Sequence, residues 1–169
     1  MEELQKQHQD VVNSEHNKPL VIIAENLRTP ENVGMVLRVA EAFAVKKVYF
    51  TGPHGIDLTT KVKRASRNTY QKIDFSFSES TLIVLEDLIK QQYEVVALEI
   101  TKESIPVQEF SFADYAKVAL VIGSERKGIS EASLLEIPHS VHISLFGNNS
   151  SINVVSALSI ALYEILRGN

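Results

Sequence analysis

The chain has no cysteine and no tryptophan among its 169 residues, and only five prolines and seven glycines. Without cysteine there is no disulfide, no thiolate nucleophile, no iron–sulfur ligation and no Cys-type zinc site, a composition that suits a reducing compartment. The glycines stand at 34, 52, 55, 123, 128, 147 and 168. They spell neither G-x-G-x-x-G nor G-x-x-x-x-G-K-[ST], which speaks against a dinucleotide Rossmann domain and a P-loop enzyme. There is no G-x-S-x-G elbow, and histidines 8, 16, 54, 139 and 142 form no H-E-x-x-H or comparable ligand set, so no metal site is expected. His8 and His16 read as solvated, and His139 and His142 as structural residues flanking a strand. Long apolar runs are missing too. The most apolar stretch, 152–166, is interrupted by Asn153, Ser156, Ser159 and Glu164. It falls short of the roughly 20 apolar residues a bilayer requires. No apolar stretch of signal-peptide length opens the sequence. A soluble, cytoplasmic protein is expected.

What is present fits one globular domain with a sizeable core: 44% hydrophobic and 22% charged residues. With 17 Lys+Arg against 21 Asp+Glu the net charge is -4, so any nucleic-acid contact must come from local patches. Val- and Ile-rich runs at 20–24, 47–51, 94–98, 118–122 and 141–144 alternate with helix-like stretches at 30–44, 79–92, from about Ser130, and at 153–166. This is the pattern of an α/β fold whose sheet is mostly parallel and covered on both faces. Residues 1–18 read as a short extension, with Leu4, Val11 and Val12 offering a short helix, and residues 19–169 as the domain. In the first long helix Thr29 is the expected cap, Pro30 suits the first helical position, and Val33, Val36, Leu37, Ala40 and Phe43 form the buried stripe. On a second line of that helix, Gly34 precedes Arg38 by one turn and leaves room for the guanidinium; the alternative is that Arg38 pairs with Glu41 or Glu31.

Ligands of open α/β sheets bind beyond the carboxyl ends of the strands. Three loops at such ends carry unusual residues. The first runs from Glu25 through Asn26, Arg28, Thr29 and Asn32 to Gly34. The second is Gly123-Ser124-Glu125-Arg126-Lys127-Gly128, with a glycine at each end and a carboxylate inside. The third runs from Leu145 to Asn153 and pairs apolar side chains with free hydroxyls and amides. Any one of them reads equally well as a connector built of turn-forming residues; the three together point to a site.

These loops resemble the motifs of the SpoU/TrmH branch of the SPOUT methyltransferases, which use S-adenosyl-L-methionine to methylate ribose 2′-oxygens of tRNA or rRNA. N-x5-N-x-G-x3-R stands as Asn26, Asn32, Gly34 and Arg38; L-V-x-G-x-E-x-x-G as Leu120 to Gly128; and S-[LI]-N-V as Ser151-Ile152-Asn153-Val154. Each motif is short, but their order and separation from about Pro19 to Arg167 carry the resemblance. It implies a mostly parallel sheet flanked by helices with a C-terminal trefoil knot, an S-adenosyl-L-methionine cofactor, an RNA substrate and a homodimer with a shared active centre. Residue by residue it implies Arg38, Asn32, Glu125, Ser151 and Asn153 as catalytic, and Leu98, Gly123, Gly128, Ile143, Leu145 and Ile152 around the cofactor. The resemblance implies proton removal by Arg38. Because arginine is ordinarily protonated and only donates, the alternative is a charged Arg38 that holds phosphate and stabilises the forming alkoxide, and the first version needs a partner group that perturbs it. Small residues of the last helix (Ser156, Ala157, Ser159, Ala161) suit either close approach of a second copy or burial on the sheet.

The chain departs from the family at Ser144, where proline is usual, and at Leu145, Ile152 and Val155. Leu145 and Ile152 keep an apolar wall, while Ser144 gives up loop rigidity and Val155 a hydroxyl. RNA contact is expected at Arg28 and Arg126 and, if 61–67 is helical, at Lys63, Arg64 and Arg67 on a common face; the alternative is a solvated surface helix. The expected target is a ribose of tRNA, a D-loop guanosine first, or of rRNA. Other classes weighed are a non-catalytic RNA-binding knot protein and a generic α/β small-molecule enzyme.

Overall fold

The computed structural model describes Gln5, Gln7 and residues 10–167. Leu4 and His8 lie outside the described residues; residues 11–18 run without helix to the first strand. Seven strands form one sheet in the order β3-β2-β1-β6-β4-β7-β5, and every pairing is parallel. They are β1 (Leu20–Glu25), β2 (Lys47–Thr51), β3 (Phe75–Ser78), β4 (Glu94–Leu98), β5 (Ile105–Pro106), β6 (Val118–Ile122) and β7 (His139–His142). The helices are α1 (Pro30–Ala42), α2 (Thr60–Ser66), α3 (Thr81–Lys90), α4 (Glu131–Glu136) and α5 (Val154–Leu166).

The period-2 alternation of the central strands sorts their side chains onto two cores. Leu20, Ile22 and Ala24 of β1 join Leu120 and Ile122 of β6 under α1 and α5, whereas Val21 and Ile23 join Ala119 and Val121 under α3 and α4. Both faces are apolar because both are covered, and each Leu or Ile so buried contributes roughly 1.5–3 kcal/mol.

Several expectations need correction. The strand expected at 141–144 lies at His139–His142, because Val141 pairs with both Leu98 and Ile105 while Ile143 and Ser144 leave the ladder. Strands β3 and β5 join the expected five. Thr29 stands at the N-cap of α1 without capping it through its side chain, although Pro30 and Glu31 occupy the first turn as expected. Gly34 faces α2 instead of making room for Arg38: a Cβ there would lie 2.5 Å from the Val62 carbonyl oxygen and 2.7 Å from the Ala65 Cβ.

Strand order reverses beside β1, since β2 and β3 extend to one side and β6, β4, β7 and β5 to the other. In such sheets the crevice at the carboxyl ends of the strands is where ligands sit. The chain before β1 is fastened to the body by Lys18, whose ammonium donates to the carbonyls of Phe112 and Tyr115, each at 2.8 Å.

Candidate active site

A cavity of about 570 Å³ opens at the carboxyl ends of β4, β6 and β7, within the roughly 300–1,000 Å³ usual for small-molecule pockets. All six residues expected around a cofactor line it: Leu98 at the end of β4, Gly123 and Gly128 in the turn after β6, and Ile143, Leu145 and Ile152 along the chain from β7 to α5. Glu125, Arg126, Ser151 and Asn153 line it as well.

The turn after β6 closes on itself. The Ser124 amide donates to the Gly128 carbonyl at 3.1 Å and the Gly128 amide to that of Ser124 at 3.0 Å. A Cβ at Gly123 would meet the Gly128 carbonyl carbon at 2.1 Å, so glycine is required there by the closure of the turn. Gly128 has φ +65, and a Cβ on it would strike the Glu99 carboxylate at 2.3 Å.

Three loops are joined by side chains. Asn153 caps α5: its Oδ1 accepts the amides of Val155 at 2.8 Å and Ser156 at 3.3 Å. Its Nδ2 is thereby aimed outward and donates to Asn32 Oδ1 at 3.2 Å. Asn32 Nδ2 in turn donates to Glu125 Oε1 at 2.7 Å. Each amide has one orientation compatible with this chain, because helix amides can only donate and the carboxylate can only accept. Partial burial alone would raise the Glu125 carboxyl, but the hydrogen bonds it accepts from Thr29 and Asn32 outweigh that and hold it below the ordinary value. The Thr29 side chain thus serves the carboxylate and not its own helix.

Arg38 stands apart. It is half-buried on α1, does not line the cavity, and its side chain pairs with no described residue. The carboxylates that could have claimed it are engaged elsewhere: Glu41 lies 3.9 Å from Lys72 and Glu31 3.8 Å from Lys61. Among the residues expected to meet RNA, Arg126 lies at the cavity and Arg28 is exposed on the turn after β1. Helix α2 ends at Ser66, and Arg67 is its left-handed C-cap with φ 47, so it leaves the helical face shared by Lys63 and Arg64. The Lys63 ammonium lies 5.9 Å from the Tyr70 ring centroid.

Two carboxylates that sequence reasoning left unassigned brace this region. Glu25, 4% exposed, accepts the Ser130 amide at 3.0 Å on Oε2 and the hydroxyls of Ser130, Ser133 and Thr81 at 2.8, 2.9 and 3.1 Å on Oε1. Glu99 accepts the amides of Ile100 and Ile129, each at 3.0 Å, and lines the cavity. The signal was in the sequence: each follows directly on the apolar run of a central strand, where an acidic residue has only loop amides and hydroxyls to meet. His142, read as structural, also lines the cavity, with Nδ1 3.0 Å from Ser104 Oγ; His139 pairs with Glu94 at 3.1 Å.

The model of the SpoU rRNA Methylase family matches residues 19–163. The 23S rRNA (guanosine-2′-O-)-methyltransferase RlmB of Acinetobacter baylyi is 24% identical over 90% of this chain and 61% of its own length. The tRNA (guanosine(18)-2′-O)-methyltransferase of Aquifex aeolicus is 25% identical over 89% of this chain and 70% of its own. The chain thus spans about three fifths of the first of these relatives. The SpoU methyltransferase AviRb of Streptomyces viridochromogenes, solved with AdoMet, superposes with a TM-score of 0.81 at 22% identity, over 91% of this chain and 62% of that one, which shows the fold. A structure described as giving insights into 2-OH methylation of C/U34 on tRNA matches with a TM-score of 0.78 at 26% identity, over 89% of this chain and 95% of that one.

Proposed function

Because the chain belongs to the SpoU rRNA methylase family, we propose that it is an S-adenosyl-L-methionine-dependent RNA ribose 2′-O-methyltransferase. The observation that carries this reading is the hydrogen-bonded series Glu125, Asn32, Asn153 at the mouth of the large cavity, one residue from each motif.

The cavity fits the cofactor. Leu98, Ile143, Leu145 and Ile152 offer apolar walls to its purine and thioether portions, and Gly123 and Gly128 bring the backbone of the closed turn to the edge. When bound, S-adenosyl-L-methionine supplies an electrophilic methyl group. Glu125, held ionised by its hydrogen bonds, is a weak base and serves as an acceptor that aims Asn32. Ser151, exposed at the cavity beside Asn153, is the hydroxyl that this reading assigns to the ribose. Arg38 carries a planar set of donors suited to a phosphate, and charge developing on the 2′-oxygen is stabilised by it while the proton leaves to phosphate or water. Its separation from the cavity of its own chain supports an active centre shared by two copies. Exposed Ile160 and Tyr163 on α5 give a second copy an apolar face. The knot expected of the C-terminal segment belongs to the same reading, supported by the insertion of β7 between β4 and β5.

The RNA we propose is tRNA, with a D-loop guanosine first, supported by the similarity to the Aquifex guanosine(18) enzyme. A position-34 pyrimidine is a second reading, supported by the match over 95% of the chain of the C/U34 structure; rRNA is the alternative that RlmB represents. The test is calorimetry with S-adenosyl-L-methionine, then transfer of its tritiated methyl group to unmodified tRNA and 23S rRNA transcripts, with the modified nucleotide mapped. Transfer to tRNA is expected, and Arg38→Lys should lower its rate at least about tenfold because a point charge cannot replace the planar fork. Failure of every RNA to accept a methyl group would overturn the activity, and an undiminished Arg38→Lys rate would remove Arg38 from it.

A further inference from the structure

The turn between β1 and α1 borders two cavities. Asn32, in the first turn of α1 just beyond it, is bonded to Glu125 in the mouth of the large one. Arg28, near its start, belongs to a second cavity of about 240 Å³ at the carboxyl ends of β1, β2 and β3. Val33, Phe50, Val62 and Phe77 form apolar walls there, and Arg28 and His54 stand at its rim with Asp57 as the acidic residue nearby.

This cavity is preformed. The Asn26 amide donates to the Thr51 carbonyl at 2.7 Å and the Gly52 amide to the Ser78 carbonyl at 3.0 Å, so the ends of the three strands are tied together. Asn26 has φ 53 and Gly52 φ +136, and a Cβ on Gly52 would lie 2.4 Å from Asn26 Oδ1, leaving no slack between them.

The two phenylalanines differ in a telling way. Phe50 and Phe77 are register partners, yet Phe50 is 1% exposed and Phe77, on the edge strand β3, is 37% exposed. An aromatic ring left partly in water on a rigid wall has an open face for a flat partner. Arg28 is the one arginine among the described lining residues, set against Asp57, and its side chain pairs with no described residue. A flat, partly apolar ring joined to phosphate is a nucleotide, and single-stranded RNA is read by such stacking beside cations.

We propose that the second cavity receives one unstacked base of the RNA strand, its ring against Phe77 and its phosphate toward Arg28. The inference rests on the reading of the chain as an RNA methyltransferase and extends it with a base-binding subsite. A strand seated there passes along the turn that leads into the first turn of α1, where Asn32 stands.

The full chain labelled with 4-fluorophenylalanine is titrated with oligoadenylate and oligouridylate hexamers and, separately, with 5′-AMP, the Phe77 fluorine resonance being identified by its loss in Phe77→Leu. The hexamers are expected to move that resonance saturably, with 5′-AMP at equal nucleotide concentration leaving it in place. Phe77→Leu and the loop variant His54→Ala should each weaken hexamer binding, the former about tenfold, with the calorimetric Kd for S-adenosyl-L-methionine unaltered. An equal response to 5′-AMP makes this a free-nucleotide site and overturns the assignment to RNA. So does hexamer binding that leaves the Phe77 resonance in place, lack of hexamer binding, or wild-type affinity in both variants. The titration needs no methyl transfer, so a chain that binds hexamers at Phe77 but methylates no RNA refutes the activity and not the subsite.

Discussion

Asn153 uses one amide twice. Its oxygen satisfies the first free amides of α5, and that engagement turns its nitrogen toward Asn32. The order of donors runs in one direction from a helix N-terminus to the Glu125 carboxylate, so removing charge at that end weakens each link. Because the folded carboxyl of Glu125 is held below its ordinary value, its contribution is present at neutral pH and is lost as pH falls through the carboxylate range. Glu125 lies at the surface, so the amount is at most about 1 kcal/mol. Urea unfolding should show the wild type more stable than Glu125→Gln at pH 7, with the gap closing toward pH 3; a gap that persists at pH 3 would mean the charge is not its source. The motif residues were legible in the sequence as polar groups at strand ends, but their partners were not. Asn32 was legible as a motif residue, but nothing local showed that it would hold Glu125 and Asn153.

At the scale of elements, α1 and α2 show why a glycine can be noticed in the sequence and still be misread. Gly34 lies in line with Arg38, but the space it leaves is filled by the backbone of α2 at Val62 and Ser66. Helix α2 carried little periodic signal, since only Val62 and Ser66 of its seven residues are buried. The edge strand Phe75–Ser78 and the two-residue β5 were equally faint, being too short to show a pattern. Replacing Gly34 with alanine gains up to about 1 kcal/mol of helix propensity. It must also push α2 away from a contact at 2.5 Å, an overpacking cost of roughly 1–3 kcal/mol. Denaturant unfolding of Gly34→Ala should therefore show a net loss of about 1–2 kcal/mol, and a gain would show that α2 yields freely.

For the whole molecule, the absence of Arg38 from the cavity that its expected partners line raises the question of copy number. Glu125, Ser151 and Asn153 line one cavity, and Arg38 does not. If two copies share the centre, sedimentation equilibrium should give twice the 18.9 kDa chain mass at working concentration. Arg38→Ala and Glu125→Ala, each inactive alone, should then recover roughly a quarter of wild-type methyl transfer when refolded together, as a twofold dimer with one intact site in half the molecules requires. A monomer at working concentration, or no recovery on mixing, would refute the shared centre.

The parallel sheet was legible in the residues alone, because strands covered on both faces are apolar along their length, and residues 20–24 of β1 and the whole of β6 are unbroken apolar runs. The sequence also marked the strand-end loops that the fold joins through side chains, since amides, a carboxylate and glycines crowd the ends of those runs. Only the tertiary structure decided how these groups meet. Asn32 bonds to residues 93 and 121 positions away, and Glu25 reaches Ser130 and Ser133 across more than a hundred residues. Such bonds depend on the relative placement of strand ends, to within a few tenths of an ångström, and on which oxygen or nitrogen is already engaged. Local sequence carries neither quantity, so the amide series, the braces of Glu25 and Glu99 and the separation of Arg38 from the cavity emerge only when the chain has closed on itself.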